Sequence, residues 1–289
     1  MASGTTTPTP APGTAAAAFD KASEVYERMT GGCTREVAKF LLTLDPKVDS
    51  SSVILDNACG TGLVTEEIIQ QFSDDAKPKI FAADLAPSMI ANFEAKAKGR
   101  GWIVDGAADD DSALAVSVMD AENLTYPDNM FTHSYTNLGF PFFSNGEKAA
   151  GHVHRTLRPG GAAFICTWKT LGYLRPLHAA QRAVRPTSTL WEPPMPKDWY
   201  TQEKLAHVVV AAGFQREKIR ILTKSVGYRG KDLEDLLDIL RTGFLGQVTN
   251  GWSEEEKEHW LKELTNALTE EEKESASLEM IAWIAIAQK

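Results

Sequence analysis

Residues 53–62 read Val53-Ile54-Leu55-Asp56-Asn57-Ala58-Cys59-Gly60-Thr61-Gly62, and an amphipathic helical pattern begins directly afterwards at Leu63. A short, apolar, β-branched run of this kind predicts a buried strand, and the small residues after it predict a tight turn. Because Gly60 and Gly62 carry no Cβ, a ligand can lie against the backbone of that turn. A strand, a glycine turn and a helix N-terminus in succession are typical of the ligand-binding edge of an open α/β sheet.

The rest of the chain alternates between helical and strand patterns, which predicts a doubly wound, Rossmann-like α/β sheet. Helices are expected over residues 24–29, over a stretch from Val37 to Leu44 that Pro46 ends, and over residues 202–212. Seven strands are expected, over residues 53–56, 79–84, 113–119, 131–137, 162–168, 218–223 and 280–286.

A single folded domain is expected over residues 19–289. Residues 1–18 are rich in Thr, Pro and Ala and poor in large apolar groups, so we expect a disordered tail there. Residues 231–276 contain two capping-box patterns, starting at Ser253 and Thr269, which predict short helices. We expect this segment to be a helical insertion between strands six and seven.

Composition limits the classes of partner. The net charge of −9 argues against a nucleic-acid partner, which would need a concentrated basic surface. No apolar run approaches the roughly 20 residues of a membrane span, and the first residues lack a secretory signal, so we expect a cytoplasmic protein without a membrane partner. Cys33, Cys59 and Cys166 are too widely spaced for a metal-ligand pair, and we expect reduced thiols and no bound metal.

Acidic residues stand at two further predicted strand ends. Asp84 closes strand two, 22 residues after Gly62, where a carboxylate can accept hydrogen bonds from both hydroxyls of a ribose. Asp120 follows strand three in the same way. Both acids have structural alternatives, namely helix capping near Pro87 for Asp84 and an Asx turn for Asp120. A dinucleotide site would also need a third glycine at the position of Thr65, which disfavours a nicotinamide oxidoreductase.

Together these motifs resemble those of class I S-adenosylmethionine (SAM)-dependent methyltransferases, in the ubiquinone-biosynthesis-like branch. The resemblance rests on the spacing D-x-A-C-G-T-G over residues 56–62, on the two strand-end acids, and on the turn over residues 157–161. Three further dipeptides make the chain similar to fungal secondary-metabolite enzymes of the gliotoxin thiol methyltransferase type: Thr30-Gly31, Thr167-Trp168 and Trp199-Tyr200.

This resemblance implies a small-molecule methyltransferase that uses SAM as its cofactor. It implies that Tyr26 belongs to an N-terminal helical lid over the methionine part of SAM, and that Asp120 meets the adenine. The complete set of implied cofactor-binding residues is Tyr26, Asp56, Ala58, Gly60, Gly62, Asp84, Leu85, Met89, Asp120, Ala121 and Asn137.

Aromatic residues after strands four and five, and in a proline-rich segment beyond them, predict an apolar acceptor pocket. The candidates for acceptor binding are Phe140, Phe143, Trp168 and Trp191. For Trp199 and Phe142, filling the core is an equally good interpretation.

No catalytic residue is assigned. Of the six histidines, only His178 is a candidate for a place in the acceptor pocket. Thiols and amines need less help from a general base than alcohols do, so a thiol acceptor is favoured, followed by an amine and then by oxygen. One alternative stays open, a methyltransferase-like regulatory protein that uses the glutamates at 254–256 and 270–272 as a docking surface.

Overall fold

The computed structural model describes residues 25–73, 76–103, 113–242 and 245–289, and the expected disordered tail at 1–18 lies outside these ranges. The helices are α1 (Tyr26–Met29), α2 (Cys33–Leu41), α3 (Leu63–Ile69), α4 (Pro87–Gly99), α5 (Gly146–Thr156), α6 (Leu174–Val184), α7 (Gln202–Ala211), α8 (Leu233–Arg241), α9 (Glu254–Ala267) and α10 (Glu270–Ser275). The strands are β1 (Val53–Asn57), β2 (Lys79–Asp84), β3 (Leu114–Val118), β4 (Phe131–Asn137), β5 (Leu157–Leu171), β6 (Ile219–Arg229) and β7 (Ser277–Gln288).

The strands form one seven-stranded sheet in the order β3-β2-β1-β4-β5-β7-β6. Strands β1 to β5 pair in parallel, whereas β7 runs antiparallel between β5 and β6. The predicted seven-stranded, doubly wound α/β fold is therefore confirmed. The chain winds outward in one direction from β1 to β3 and in the other from β4, and such a switch point opens a crevice at the carboxyl ends of the strands.

The centre of the sheet is buried on both faces. Ile54, Leu55, Phe164 and Ile165 are completely buried, because helices cover the sheet on either side. Burial of both faces also explains the nearly continuous apolar run that becomes β7, in which Ile284 has no exposed surface.

Several boundaries differ from the prediction. Helix α2 ends at Leu41, so Leu44 and Pro46 lie beyond it. Strands β5 and β6 extend to Leu171 and Arg229, further than their apolar patterns predict, because both pair with β7 along most of its length. The turn over residues 157–161 falls within the bounds of β5, where the register against β4 shifts and Gly160 has a φ of 81°.

Residues between β6 and β7 form α8, a 3₁₀ turn (Leu245–Thr249), α9 and α10. Both predicted capping boxes are present, Ser253 with Glu256 and Thr269 with Glu272. The side chain of Glu256 also accepts two hydrogen bonds from Arg185, which joins α9 to the end of α6. Among the residues that the structure describes, no helix has both the length and the apolar character needed to cross a membrane.

Gly62 provides a test of the packing behind the glycine turn. It has a φ of 84°, and a Cβ added there would lie 2.4 Å from the ring of the buried Phe93. We expect Gly62→Ala to lower the free energy of unfolding by about 1–3 kcal/mol through overpacking, in addition to about 1–2 kcal/mol for a left-handed alanine. Urea unfolding followed by circular dichroism measures the loss.

Gly101→Ala is the matched control, because Gly101 has a φ of 71° and a Cβ there would meet nothing within 4 Å. It should cost only the backbone contribution. Equal losses of stability in the two variants would contradict the expected clash with Phe93.

Candidate functional site

The turn after β1 runs through left-handed backbone. Ala58, Gly60 and Gly62 have φ values of 53°, 55° and 84°. Ala58 is the unusual member, since a residue other than glycine seldom adopts this backbone conformation without tertiary support. A Cβ added to Gly60 would meet nothing within 4 Å, so open space lies beside the turn.

The carboxylate of Asp84 joins the end of β2 to this turn. Its Oδ2 accepts a hydrogen bond of 2.8 Å from the backbone N–H of Gly60. Its Oδ1 accepts one of 2.9 Å from the N–H of Ala86, immediately before α4. This bond is not a helix cap, because Ala86 is the N-cap residue of α4 and no side chain caps that helix. The carboxylate of Asp84 points to the glycine turn instead.

A cavity lies at the carboxyl ends of β1 to β4, and we refer to it as the glycine-turn cavity. Nine of the eleven predicted cofactor residues line it, and its described lining is Tyr26, Ala58, Gly60, Asp84, Leu85, Ala86, Met89, Met119, Asp120, Ala121, Glu122, Asn137, Leu138, Gly139, Phe142, Phe143 and Ser144. Residues at the ends of four strands therefore meet at the glycine-turn cavity, as the strand-end pattern predicts. Asp120 also forms the predicted Asx turn, in which Oδ1 accepts from the N–H of Glu122 at 2.8 Å.

The structure does not bring Asp56 or Gly62 to the wall of this cavity. Asp56 is buried below α3, where its Oδ2 accepts hydrogen bonds from Thr65 Oγ1 at 2.6 Å and from Thr65 N at 3.1 Å. Burial raises the pKa of the Asp56 carboxyl to about 7, and the nearby charge of Asp84 raises it further, against the two Thr65 bonds. Asp56 and Gly62 shape the turn from behind.

A second cavity, which we refer to as the aromatic cavity, adjoins the first. Its described lining is Tyr26, Met29, Thr30, Cys33, Thr34, Leu138, Phe142, Trp168, Leu171, Tyr173, Trp191, Pro193, Pro194, Met195, Tyr228, Gln247 and Met280. Of the predicted acceptor residues, Trp168 and Trp191 lie in it. Phe143 lines the glycine-turn cavity instead. Phe140 lines neither, because it is fully buried between Phe143 and Trp199.

The two cavities share three residues, Tyr26, Leu138 and Phe142. Leu138 follows β4 directly and has a φ of 64°, which is rare for a leucine. Such strain occurs where surrounding structure imposes it, often at functional sites. At these shared residues, the glycine-turn cavity, which contains carboxylates, meets the aromatic cavity.

His178 does not line either cavity. Its Nε2 lies 2.7 Å from the carbonyl oxygen of Trp191, and Gln181 Oε1 accepts a hydrogen bond of 2.9 Å from the Trp191 N–H. These two side chains of α6 hold the backbone of Trp191 at the cavity wall. Trp199 is only 4% exposed and belongs to the core, whereas Phe142 belongs to the site.

The titratable groups among the lining residues of the aromatic cavity are one cysteine and three tyrosines. Burial raises the pKa of the Cys33 thiol to about 12. Burial also raises the pKa values of Tyr26, Tyr173 and Tyr228 well above the ordinary value for tyrosine. No described lining residue is a carboxylate, histidine, lysine or arginine. At neutral pH this wall is therefore uncharged.

Sequence reasoning missed several residues of the site. Tyr228 lies near the end of β6, beyond the predicted strand, and Gln247 comes from the insertion. Neither position carries a local pattern that predicts a site. Met29 and Cys33 could have been predicted, since they flank the glycine pair at 31–32 and lie close in sequence to Tyr26, which the resemblance places in a lid.

Comparison with known proteins points to methyltransferases. Residues 55–165 match the family described as a methyltransferase domain. Methyltransferase tpcH from Aspergillus fumigatus is 23% identical over 72% of this chain and 72% of its own length. Acetylaranotin bis-thiomethyltransferase from Aspergillus terreus is 22% identical over 83% of this chain and 80% of its own length. Residues 55–165 are therefore a methyltransferase domain.

In overall shape the chain resembles the crystal structure of the 4+2 cyclase SpnF, with a TM-score of 0.59. The two are 16% identical, and the match covers 97% of this chain and 98% of that one. At this identity the likeness shows the fold alone. Since one fold carries many reactions, the reaction must be argued from the site.

Because the carboxyl of Asp56 is buried, we expect it to make the free energy of unfolding depend on pH. Between the ordinary carboxyl pKa and about 7, the folded protein holds a proton that the unfolded chain has released. The contribution of Asp56 to the free energy of unfolding should therefore fall as the pH rises from about 4 to 7, by at most about 1.4 kcal/mol per pH unit. Urea unfolding of wild type and Asp56→Asn across this range measures it.

Asp56→Asn removes the ionisable group while keeping its size. The contributions of all other titrating groups to the free energy of unfolding therefore cancel in the difference between wild type and variant. The stability of wild type relative to the variant should decline up to pH 7 and level off above. A difference that does not change with pH would show that this carboxyl has an ordinary pKa.

Proposed function

We propose that this chain, a class I SAM-dependent methyltransferase, methylates the thiol of a small, uncharged, aromatic acceptor. An amine is the second choice of acceptor atom and oxygen the third. SAM supplies a methyl group activated on a sulfonium, which a nucleophile displaces in line. The role of the protein is to hold the two reactants together, and such positioning can lower the activation barrier by roughly 7–11 kcal/mol.

The glycine-turn cavity fits a nucleoside cofactor. Open space beside Gly60 leaves room for a ligand at the backbone, and Asp84 lies at the same turn. The backbone N–H groups of Gly60 and Ala86 donate to its two oxygens and fix the carboxylate at the wall of the cavity. We therefore propose that Asp84 accepts the hydroxyls of the ribose.

The remaining lining residues support roles for the other parts of the cofactor. We propose that Asp120 and Ala121 hold the adenine, and that Leu85 and Met89 provide apolar contact to the nucleoside. Tyr26 and Asn137 would cover the methionine part. Asn137 is held in place by α2, because its Nδ2 donates a hydrogen bond of 3.1 Å to the carbonyl of Thr34.

The observation that carries the choice of acceptor is the uncharged wall of the aromatic cavity. None of its described residues could act as a general base at neutral pH, since the thiol and the three phenols keep their protons. A phenol or alcohol acceptor would need such a base, whereas a thiol or a free amine needs little further help. Charged acceptors are disfavoured, because an unpaired charge is costly to bury.

The junction at Tyr26, Leu138 and Phe142 is where we propose that transfer occurs, since these residues border both cavities. The name of the Aspergillus terreus relative, a bis-thiomethyltransferase, supports sulfur as the acceptor atom. Trp168 and Trp191 would contact the flat acceptor, as aromatic side chains commonly do in pockets for small molecules.

Asp84→Ala tests the cofactor site. The variant removes the proposed partner of the ribose and the acceptor for the Gly60 N–H, and a buried polar group left unpaired costs about 1–3 kcal/mol. We expect the affinity for SAM to fall by about 5- to 150-fold in titration calorimetry.

Asp128→Ala is the control, because Asp128 is an exposed acid that pairs with Arg155 outside the cavity. It should leave the affinity for SAM unchanged. If Asp84→Ala binds SAM as tightly as wild type, the ribose does not lie at Asp84.

The acceptor is tested with three molecules of one ring system: naphthalene-2-thiol, 2-naphthylamine and 2-naphthol. With radiolabelled SAM we expect transfer to be fastest to the thiol and slowest to the phenol, because the cavity lacks a base. Trp168→Ala should raise the KM for the thiol about 10-fold or more, since a buried side chain of this size contributes about 1.5–3 kcal/mol.

Trp102→Ala removes a half-buried tryptophan outside both cavities and serves as the control for Trp168→Ala. The affinity for SAM should be the same in both variants and in wild type. Faster transfer to the phenol would contradict the proposed acceptor. Saturable SAM binding with no transfer to any acceptor would favour the regulatory alternative.

A further inference from the structure

Helix α1, which carries Tyr26, cannot hold its own position. It has only four residues, Tyr26–Met29, no side chain caps its N-terminus, and all four residues keep part of their surface exposed. Helices much shorter than about 12 residues are not stable in isolation. The placement of Tyr26 at the junction of the two cavities therefore also depends on what the neighbouring residues of α1 contact.

On one side, Arg28 holds α1 to the insertion. Its Nη1 lies 2.7 Å from Asp235 Oδ1 and its Nη2 lies 2.7 Å from Asp238 Oδ2. The two acids stand three residues apart on α8, and the planar guanidinium reaches both at once. Arg28 lowers the pKa of Asp238, as expected for a carboxylate beside a fixed positive charge.

On the other side, Glu27 holds α1 to the core. Its carboxylate lies 2.9 Å from Arg35 Nη2 and 3.6 Å from Lys96 Nζ. Arg35 also lies 3.0 Å from Glu66, which is 1% exposed and stands on α3 just after the glycine turn. Glu66 is the buried member of this cluster, so removing the charge of Arg35 would take away one of its cationic partners and lower the stability strongly.

The end of α1 has a third attachment. Tyr228 Oη donates a hydrogen bond of 2.9 Å to the carbonyl of Met29, and the N–H of Arg229 donates one of 3.0 Å to the carbonyl of Gly31. Both donors belong to β6, so this attachment is built into the sheet. Among these attachments, the one through Arg28 joins α1 to the insertion, and it pairs an exposed guanidinium with two partly exposed carboxylates.

We propose that Arg28 is a positioning residue: by pairing with Asp235 and Asp238 it keeps Tyr26 over the bound cofactor and slows the release of that cofactor. The insertion thereby becomes part of the cofactor site, although none of its described residues lines the glycine-turn cavity. The inference rests on the proposed place of SAM in that cavity, and it does not depend on the identity of the acceptor.

The test measures release of the cofactor directly. Full-length protein loaded with tritiated SAM is chased with an excess of unlabelled S-adenosylhomocysteine, and the retained label is followed by rapid filtration. At low salt we expect Arg28→Ala to release SAM about 5-fold faster than wild type, a change that corresponds to about 1 kcal/mol. Arg28→Lys should be intermediate, because an ammonium keeps the charge but loses the fork that spans two carboxylates.

Salt provides a second readout that a merely structural role would not give. Ions screen exposed pairs, so raising the salt to 0.5 M should speed release from wild type toward the rate of Arg28→Ala. The rate of Arg28→Ala itself should change much less. If Arg28→Ala does not fold, Asp238→Asn removes one of the two carboxylates from outside α1 and should also accelerate release.

Arg185→Ala is the matched control. Arg185 donates hydrogen bonds of 2.8 and 2.7 Å to the carboxylate of Glu256. This pair is partly exposed, like the pairs of Arg28, but it lies away from α1. The release rate of Arg185→Ala should equal that of wild type. Equal rates for Arg28→Ala and wild type at low salt, or equal acceleration in Arg185→Ala, would overturn the inference alone. Failure of the wild-type protein to bind SAM would overturn the cofactor site as well.

Discussion

The hydrogen bond from the Gly60 N–H to the Asp84 carboxylate is the contact on which the site depends. It joins the ends of two neighbouring parallel strands, and a bond from a backbone N–H to a carboxylate is among the stronger kinds in proteins. It supports the left-handed backbone that Ala58, Gly60 and Gly62 adopt. The second oxygen of Asp84 binds the N–H of Ala86, so the start of α4 is placed by the same group.

The site beside this contact is divided into two cavities with different environments. The glycine-turn cavity contains carboxylates at strand ends, which suits a polar nucleoside. The aromatic cavity has an uncharged described lining in which burial raises the pKa of every titratable group. A reaction that needs only positioning can proceed at such a junction, and the proposed thiol acceptor rests on the absence of a base among the described residues of the aromatic cavity.

Prediction from the sequence succeeded where the signal was local. Asp84 and Asp120 were placed in the cavity region because each follows a strand pattern, and parallel strands end at one edge of the sheet. It did not succeed where the direction of a side chain mattered. Asp56 turns below α3 to Thr65, and Phe140 turns into the core beside Trp199. The local pattern is the same whether a side chain faces a cavity or the packing behind it.

The sequence by itself determined the order of strands and helices, the glycine turn and the acids that follow β2 and β3, because these depend on periodicity and on neighbours along the chain. Only the tertiary structure decided that Tyr228 reaches the aromatic cavity, since pairing with β7 sets the length of β6. It also brought Arg28 to Asp235, 207 positions away. Contacts of that separation exist only after the whole chain has packed, so no local pattern encodes them.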